Sequence, residues 1–302
     1  MTPTVALPAS GCNARAASSQ PVLLNLGCGS RFHPAWVNAD LVPRAEGVLR
    51  CDVRAGLPFP GESFDAVYHA HVLEHLPRDG ALSLLRECRR VLRPGGTIRV
   101  VVPDLEQVAR LYLDALARAQ TGDPEWAGRY EWMMLELYDQ TVRERSGGEM
   151  ARYLQQPMVP SAAFVLERAG DEARHIMEAA ARKRASAGPR ARQPSRRAGI
   201  ICRIRRFLFE PVSRRETVAR WLLGPAYEYH RLGQFRRGGE VHLWMYDRYS
   251  LGVLLGRAGF ENPRPVAAGE SRIPDWNSYE LDTDQQGAAR KPESLYMEAE
   301  RP

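Results

Sequence analysis

The sequence predicts an α/β fold in which a parallel sheet is interrupted by a long helical insertion. Three observations carry that prediction. Short apolar runs suited to buried strands alternate with loop or helix patterns between residues 21 and 103. Strand signals then vanish from Asp104 to about Glu240. After Glu240 the alternation resumes, which is the grammar of a parallel sheet covered by helices. The gap is far longer than an ordinary loop, so it must carry structure of its own.

The stretch "PVLLNLGCGS" (21–30) is an apolar run broken by two glycines, a buried strand entering a tight loop. "WVNAD" (36–40) reads as a second strand ending on an acid. "GVLRCDV" (47–53) reads as a third, with Asp52 just past its apolar part. A Pro/Gly turn then leads into a fourth strand, Phe64 to His69. "DGALSLLRECRRVLRPGG" (79–96) is an amphipathic helix with Ala81, Leu84, Leu85, Cys88, Val91 and Leu92 on one face. Pro94-Gly95-Gly96 is expected to stop it. "TIRVVVP" (97–103) is apolar enough to be a central fifth strand.

Beyond the fifth strand, Asp104 with Gln107 reads as a helix cap, ahead of a stripe of Leu105, Val108, Leu111, Tyr112 and Leu116. Residues 131–145 read as another helix and 182–199 as loop or linker. Residues 247–260 predict a helix ending at Gly259, followed by strands at 263–268 and 294–300. The expected organisation is a flexible N-terminal segment (1–20), a core from 21–103 and 241–302, and a mainly helical insertion at 104–240. That insertion is expected to close over the cleft as a substrate subdomain, with Trp126, Tyr130, Trp132 and Tyr138 divided between helix core and acceptor pocket.

The composition, 44% hydrophobic and 26% charged over 302 residues, is that of an ordinary globular chain, and no apolar run is long enough to span a membrane. The first residues show no secretory leader, and five cysteines at 12, 28, 51, 88 and 202 make no C-x-x-C pair. A reducing cytoplasm is therefore the expected compartment. The net charge of +6 is local: residues 182–215 carry twelve basic side chains against one acid, Glu210. Within them, "RAGIICRIRRFLFEPVSRR" (197–215) mixes arginines with Ile200, Ile201, Ile204, Phe207, Leu208 and Phe209. This suits association with an anionic membrane, contact with nucleic-acid phosphates, or a solvated basic face over a buried stripe.

Ligands of open α/β sheets sit beyond the carboxyl ends of the strands. Those ends carry Gly27-Cys28-Gly29, Asp40, Asp52 and His69-Ala70-His71. Two glycines let the backbone approach a ligand closely with amides free to donate. An acid after the second strand can accept from both ribose hydroxyls, and one after the third from an exocyclic amine. The set suits an adenosine ligand. It is not a dinucleotide fingerprint, because "GCGSRFHP" lacks the third glycine and Pro34 precedes any proper helix; a P-loop is also absent.

With "LNLGCGS", "VNAD", "CDV", "LPFPGESFDAVYHAHVLEHL" and "RVLRPGG" in this order, the chain resembles a class I S-adenosylmethionine-dependent methyltransferase of the type 11-like branch. The resemblance covers 21–103 strongly and 241–300 moderately. It implies a Rossmann-like, doubly wound, seven-stranded sheet, mostly parallel, with the last strand antiparallel at 294–300. It implies S-adenosyl-L-methionine as cofactor. By position, Gly27, Cys28 and Gly29 would approach its methionine part, Asp40 and Leu41 the ribose, Asp52 and Val53 the adenine, and His69 and Ala70 the space beneath the sulfonium. One departure is Asn25, where the family carries an acid that recognises the amino group.

The stretch "YHAHVLEHLP" (68–77) also spells H-x-x-E-H through His71, Glu74 and His75, an inverted zinc-peptidase signature. A metal would need a third ligand, and nothing downstream nominates one, so no metal is expected. His71 is the first candidate for a catalytic base and His69 the second, since imidazole titrates in the useful range. Glu74 and His75 read as structural residues that pack and hydrogen-bond at the start of the following helix. The expected activity is methyl transfer to a small-molecule or glycan/lipid-linked acceptor. Nucleic-acid methylation, a non-catalytic cofactor-binding module and, last, a dehydrogenase stand as alternatives.

Overall fold

The computed structural model describes residues 20–186 and 211–302. The expected flexible lead-in and most of the basic stretch 197–215 lie outside the described residues, including the apolar set Ile200 to Phe209.

Seven strands form one sheet: β1 (Leu23–Leu26), β2 (Trp36–Asp40), β3 (Val48–Arg50), β4 (Phe64–Ala70), β5 (Leu92–Pro103), β6 (Glu261–Val266) and β7 (Ser294–Glu300). Their spatial order is β3-β2-β1-β4-β5-β7-β6. β1, β2, β3, β4 and β5 pair in parallel, and β7 runs antiparallel to both of its neighbours. The strand order reverses at β1, with β2 and β3 to one side and β4 and β5 to the other, so the glycine loop after β1 opens at the switch point of the sheet.

Burial explains the strand composition. All four residues of β1 are buried, as a strand covered on both faces requires. One face packs on α1 (Arg78–Val91) through Leu84, Leu85 and Cys88. The other face carries Leu23, Ala66, Tyr68, Val101 and Tyr296 beneath an aromatic cluster. There Trp36 meets Tyr68, Trp276 and Tyr279 edge-on, at centroid distances of 5.3–6.1 Å.

The helix predicted at 79–96 is shorter than its pattern. It ends at Val91, and Leu92 already pairs with Phe64 of β4, so the Pro-Gly-Gly run lies within the assigned extent of β5 and does not end the helix. The pairing wins because the register shifts there and admits the extra residues.

After β5 the described residues run through the helices α2 (Leu105–Ala119), α3 (Pro124–Val142), α4 (Gly148–Leu154), α5 (Ala162–Ser186), α6 (Pro211–Leu223) and α7 (Tyr227–Arg237). Asp104 caps α2 by accepting from the amides of Glu106 and Gln107, as its position predicts. Of these, α2 to α5 build a second core around Trp132, Met133, Val165 and Ala173. α5 runs further than the sequence suggested, through Ser186, and bends at Gly170, where φ is +53°. A Cβ there would stand 2.6 Å from the Arg290 carbonyl oxygen, so only glycine lets α5 lie against residues 290–292. A Gly170→Val variant is therefore expected to lose thermal stability and to detach α5, which calorimetry and hydrogen exchange over 162–186 would register. The chain returns through α8 (Arg248–Arg257), closed at its start by a capping box of Asp247 and Ser250.

Candidate functional site

The glycine loop is held by its neighbours. The amides of Gly27 and Cys28 donate to the Ala39 carbonyl, and that of Gly29 donates to Asp40 Oδ2 at 2.8 Å. Gly27 and Gly29 both have positive φ, but for different reasons. A Cβ on Gly27 would lie 2.4 Å from Val72 Cγ2, whereas one on Gly29 would meet nothing within 4 Å. Gly27 is glycine for packing, and Gly29 leaves open space beside the backbone.

That space is a cavity of about 510 Å³. Its floor is Asn25, Tyr68, Ala70, Val101 and Tyr296, and its near wall is Gly27 to Arg31. The insertion supplies the opposite wall with Asp171, Glu172, His175 and Ile176 from α5. Asp171 ties this helix down, 3.6 Å from Arg31 of the glycine loop and 3.4 Å from Arg290. Asn25 lies buried in the floor, its amide nitrogen bonded to the Arg31 carbonyl and to Asn38 Oδ1.

Of the residues expected to bind a cofactor, Gly27, Cys28, Gly29 and Ala70 line this cavity. Asp40, Leu41, Asp52 and Val53 do not; they sit on the open ledge at the ends of β2 and β3. Asp40 accepts from the amides of Gly29 and Val42, and the Cys51 amide donates to its carbonyl, which sets Asp52 beside it. Asp52 caps the short 3-10 turn Val53–Ala55 and is held by Arg54 at 2.7 Å. That hydrogen bond keeps its carboxyl below the ordinary carboxylate range, although the pair is exposed. Exposed pairs of this kind are weak and can be exchanged for a ligand.

The two candidate bases part company. His69 is fully buried and outside the cavity, and neither of its ring nitrogens has a partner. Burial pushes its imidazole down to about 4, against a weaker upward pull from Glu74. An imidazole lowered in the folded state stabilises the fold above its ordinary value of 6.5, and that stability is lost as pH falls from there towards about 4. The loss is on the order of 3 kcal/mol over that window. A His69→Leu variant is expected to flatten the pH dependence of the melting temperature between pH 6.5 and 4; an unchanged slope would contradict this.

His71 occupies the opposite setting. Its backbone has a positive φ of +54° and is pinned by its amide to the Val101 carbonyl. Its Nδ1 lies 3.1 Å from Glu74 Oε1 and its Nε2 3.0 Å from Ser294 Oγ. Glu74 is fully buried. Burial alone would raise its carboxyl, but His71, His242 and His75 outweigh that and hold it below the ordinary range. A carboxylate facing Nδ1 places the ring proton there and leaves Nε2 as the basic nitrogen. Glu74 is thus a positioning group that the sequence reading had assigned to packing.

His71 also borders a second cavity, of about 370 Å³, on the side of the insertion. Val108, Met150, Leu154 and Ile176 give it an apolar wall. Of the four aromatics expected there, Trp132 alone lines it, with its indole nitrogen donating to Glu136 Oε2. Trp126 is sandwiched between Arg118 and Arg129, Tyr130 packs on Tyr112, and Tyr138 is exposed. Glu293 lines it as well, its carboxyl pushed up by burial.

Residues 34–100 match the model of a methyltransferase domain. A protein of Aspergillus luteorubrus described as "Probable methyltransferase ltbC" is 32% identical over 108 residues, which is 33% of this chain and 38% of that relative. The match therefore spans well under half the length of the curated relative. A Thermotoga maritima structure, described as a SAM-dependent methyltransferase and possible histamine N-methyltransferase, aligns over 95% of this chain and 84% of its own, at 12% identity and a TM-score of 0.36. A Burkholderia thailandensis 1,6-didemethyltoxoflavin-N1-methyltransferase with bound S-adenosylhomocysteine aligns over 28% of this chain and 45% of its own, at 21% identity and a TM-score of 0.24. Likeness at this level fixes neither substrate nor partner. The first cavity is also lined by residues that sequence reasoning missed: Asp171 and Glu172 on α5, and Asp282 and Arg290 near the end of the chain. No motif marks them, because their role arises only from where α5 bends.

Proposed function

We propose that the chain is an S-adenosylmethionine-dependent methyltransferase whose acceptor, a small molecule or glycan/lipid-linked species, occupies the second cavity. The observation that carries this reading is His71, which borders both cavities and is oriented by Glu74. When bound, the cofactor supplies a methyl group activated on a sulfonium.

The residues fit such a cofactor. The open space beside the Gly29 amide admits a ligand against the backbone, and the cavity is of ligand size. Gly27, Cys28, Gly29 and Ala70 would hold its methionine end. The ledge bearing Asp40 and Asp52, with Leu41 and Val53 beside them, would take its nucleoside end. With Asn25 at the floor already satisfied, the amino group would turn to the α5 wall, where Asp171 offers a carboxylate.

The chain's own contribution is alignment and one proton. Walls from α3, α4 and α5 exclude water from the acceptor and fix its approach. Alignment of two bound partners is worth about 7–11 kcal/mol in favourable cases. His71 Nε2 takes the proton from an acceptor hydroxyl or amine, and Glu74 stabilises the imidazolium that results. The expected association with an anionic membrane depends on 197–215, most of which lies outside the described residues; it belongs to the proposal only as a route to lipid-linked acceptors. Incubation of the full chain with labelled methyl donor and fractionated extract should label a small-molecule or glycan fraction. Label confined to nucleic acid would overturn the acceptor class.

A wall substitution separates the two cavities. Asp171→Leu is expected to weaken cofactor binding roughly tenfold or more by losing a charged partner worth about 1.5 kcal/mol or more, as calorimetry would show. Equal affinity in the variant would contradict the assigned wall.

A further inference from the structure

We propose that Glu74, His75 and His242 bind one divalent transition-metal ion, zinc foremost, at the floor of the second cavity. One donor atom from each of the three lies within 4.8 Å of the others. Donors around a tetrahedral zinc, at about 2.0–2.2 Å from the ion, stand roughly 3.3–3.6 Å apart. Side-chain rotations alone can close that difference.

The second observation is an orphaned buried carboxylate. Glu74 is fully buried; its Oε1 faces His71 Nδ1 at 3.1 Å, and its Oε2 has no hydrogen-bond partner. Folded chains seldom bury a carboxylate so incompletely satisfied unless something else engages it. Oε1 serves His71, and Oε2 remains for an ion.

The backbone brings the three together. Glu74 and His75 sit on the 3-10 turn Leu73–His75. The segment that follows α7 comes back onto this turn: the amides of Leu243 and Trp244 donate to the Glu74 carbonyl, and that of His242 to the Gln140 carbonyl. His75 and His242 then meet edge-to-face, with ring centroids 4.8 Å apart. His75 Nδ1 lies 3.3 Å from the Val241 carbonyl, which leaves Nε2 to ligate; metal-bound imidazoles are oriented by such a bond. The set differs from the H-x-x-E-H reading, which paired His71 with His75: Glu74 takes the place of His71, and His242, which no local spacing could nominate, is the third ligand.

The donor set chooses the ion. Two imidazoles and one carboxylate suit zinc or a neighbouring transition ion, whereas magnesium and calcium want oxygen ligands. His75 and His242 line the cavity and Glu74 is sealed behind them. Three protein donors with one side facing a cavity leave a position for water or for an oxygen or nitrogen of the cavity's occupant.

The test uses the full chain without methyl donor, so it stands apart from the methyl-transfer reading. Chelator-stripped protein is titrated with zinc, and separately with magnesium, and its metal content is measured by plasma mass spectrometry. The expected result is one zinc per chain, a raised melting temperature, visible absorption bands with cobalt in its place, and no response to magnesium. His75→Gln and His242→Gln, checked for folding by circular dichroism, should each weaken zinc at least about a hundredfold, beyond what losing an outer orienting group does. His230→Gln, on the exposed face of α7, should not change it. Absence of stoichiometric zinc on the unsubstituted chain would overturn the site, as would unchanged affinity in both ligand variants.

Discussion

Turnover of a His71→Ala variant is expected to fall by roughly 10²–10⁴, the usual worth of a positioned base, while affinity for S-adenosylhomocysteine stays within severalfold. The prediction rests on geometry. The imidazole stands between two cavities, with a buried carboxylate behind it and a hydroxyl in front. His71 has a positive φ, so His71→Asn is the better folding control, because asparagine tolerates that region of backbone space. Both variants should lose turnover alike. A kcat unchanged in His71→Asn with cofactor bound would remove the base and leave alignment alone to carry the reaction.

Arg99→Met is expected to destabilise the fold by about 3–5 kcal/mol, the usual effect of removing one partner from a buried ion pair. Arg99 is fully buried in β5. Its guanidinium donates to Asp282 at 2.8 Å and to Glu298 at 3.0 Å, and also to the carbonyls of Ala267, Ala268 and Glu270. It also stacks on Trp276 at 4.4 Å. The methionine would leave two carboxylates without their cation beside the first cavity, which Asp282 lines and where Tyr68 donates to Asp282 at 2.6 Å. Burial already pushes the Asp282 carboxyl up, and Arg99 is the main group opposing it. The deficit relative to the parent chain should therefore shrink as pH falls and the stranded carboxylates protonate. Denaturant unfolding at pH 8 and pH 5.5 would show this, and a deficit that grows with acid would contradict it.

Much of this arrangement was legible in the chain before its structure. β2 and β7 fall on the predicted residues, because each is bounded by abrupt changes in polarity. The glycine loop and the paired acids at the ends of β2 and β3 follow from chemistry that must stand at strand ends. Other features were not legible, for physical reasons. The apolar pattern of α1 continues into Leu92, and only pairing with Phe64 decides that Leu92 is strand. His69 and His71 look equivalent in sequence, and the pleat of a continued strand would send both to one face; β4 ends at Ala70 and the positive φ at His71 turns it to different surroundings. Glu74 looked like a packing residue, and nothing local shows that residues 241–244 return to cover it. Arg99 reads as an interruption in an apolar strand until Asp282 and Glu298 arrive from distant segments.

The central claim is that the glycine loop, the ledge of Asp40 and Asp52, and the α5 wall together grip one sulfonium nucleoside. Calorimetric titration of the full chain with S-adenosylhomocysteine tests it most directly. The account predicts saturable binding of one molecule per chain, weakened severalfold or more in Asp40→Asn and abolished in Gly29→Val, with no comparable binding of NAD. Failure of the unsubstituted chain to bind, or equal binding by Gly29→Val, would contradict it.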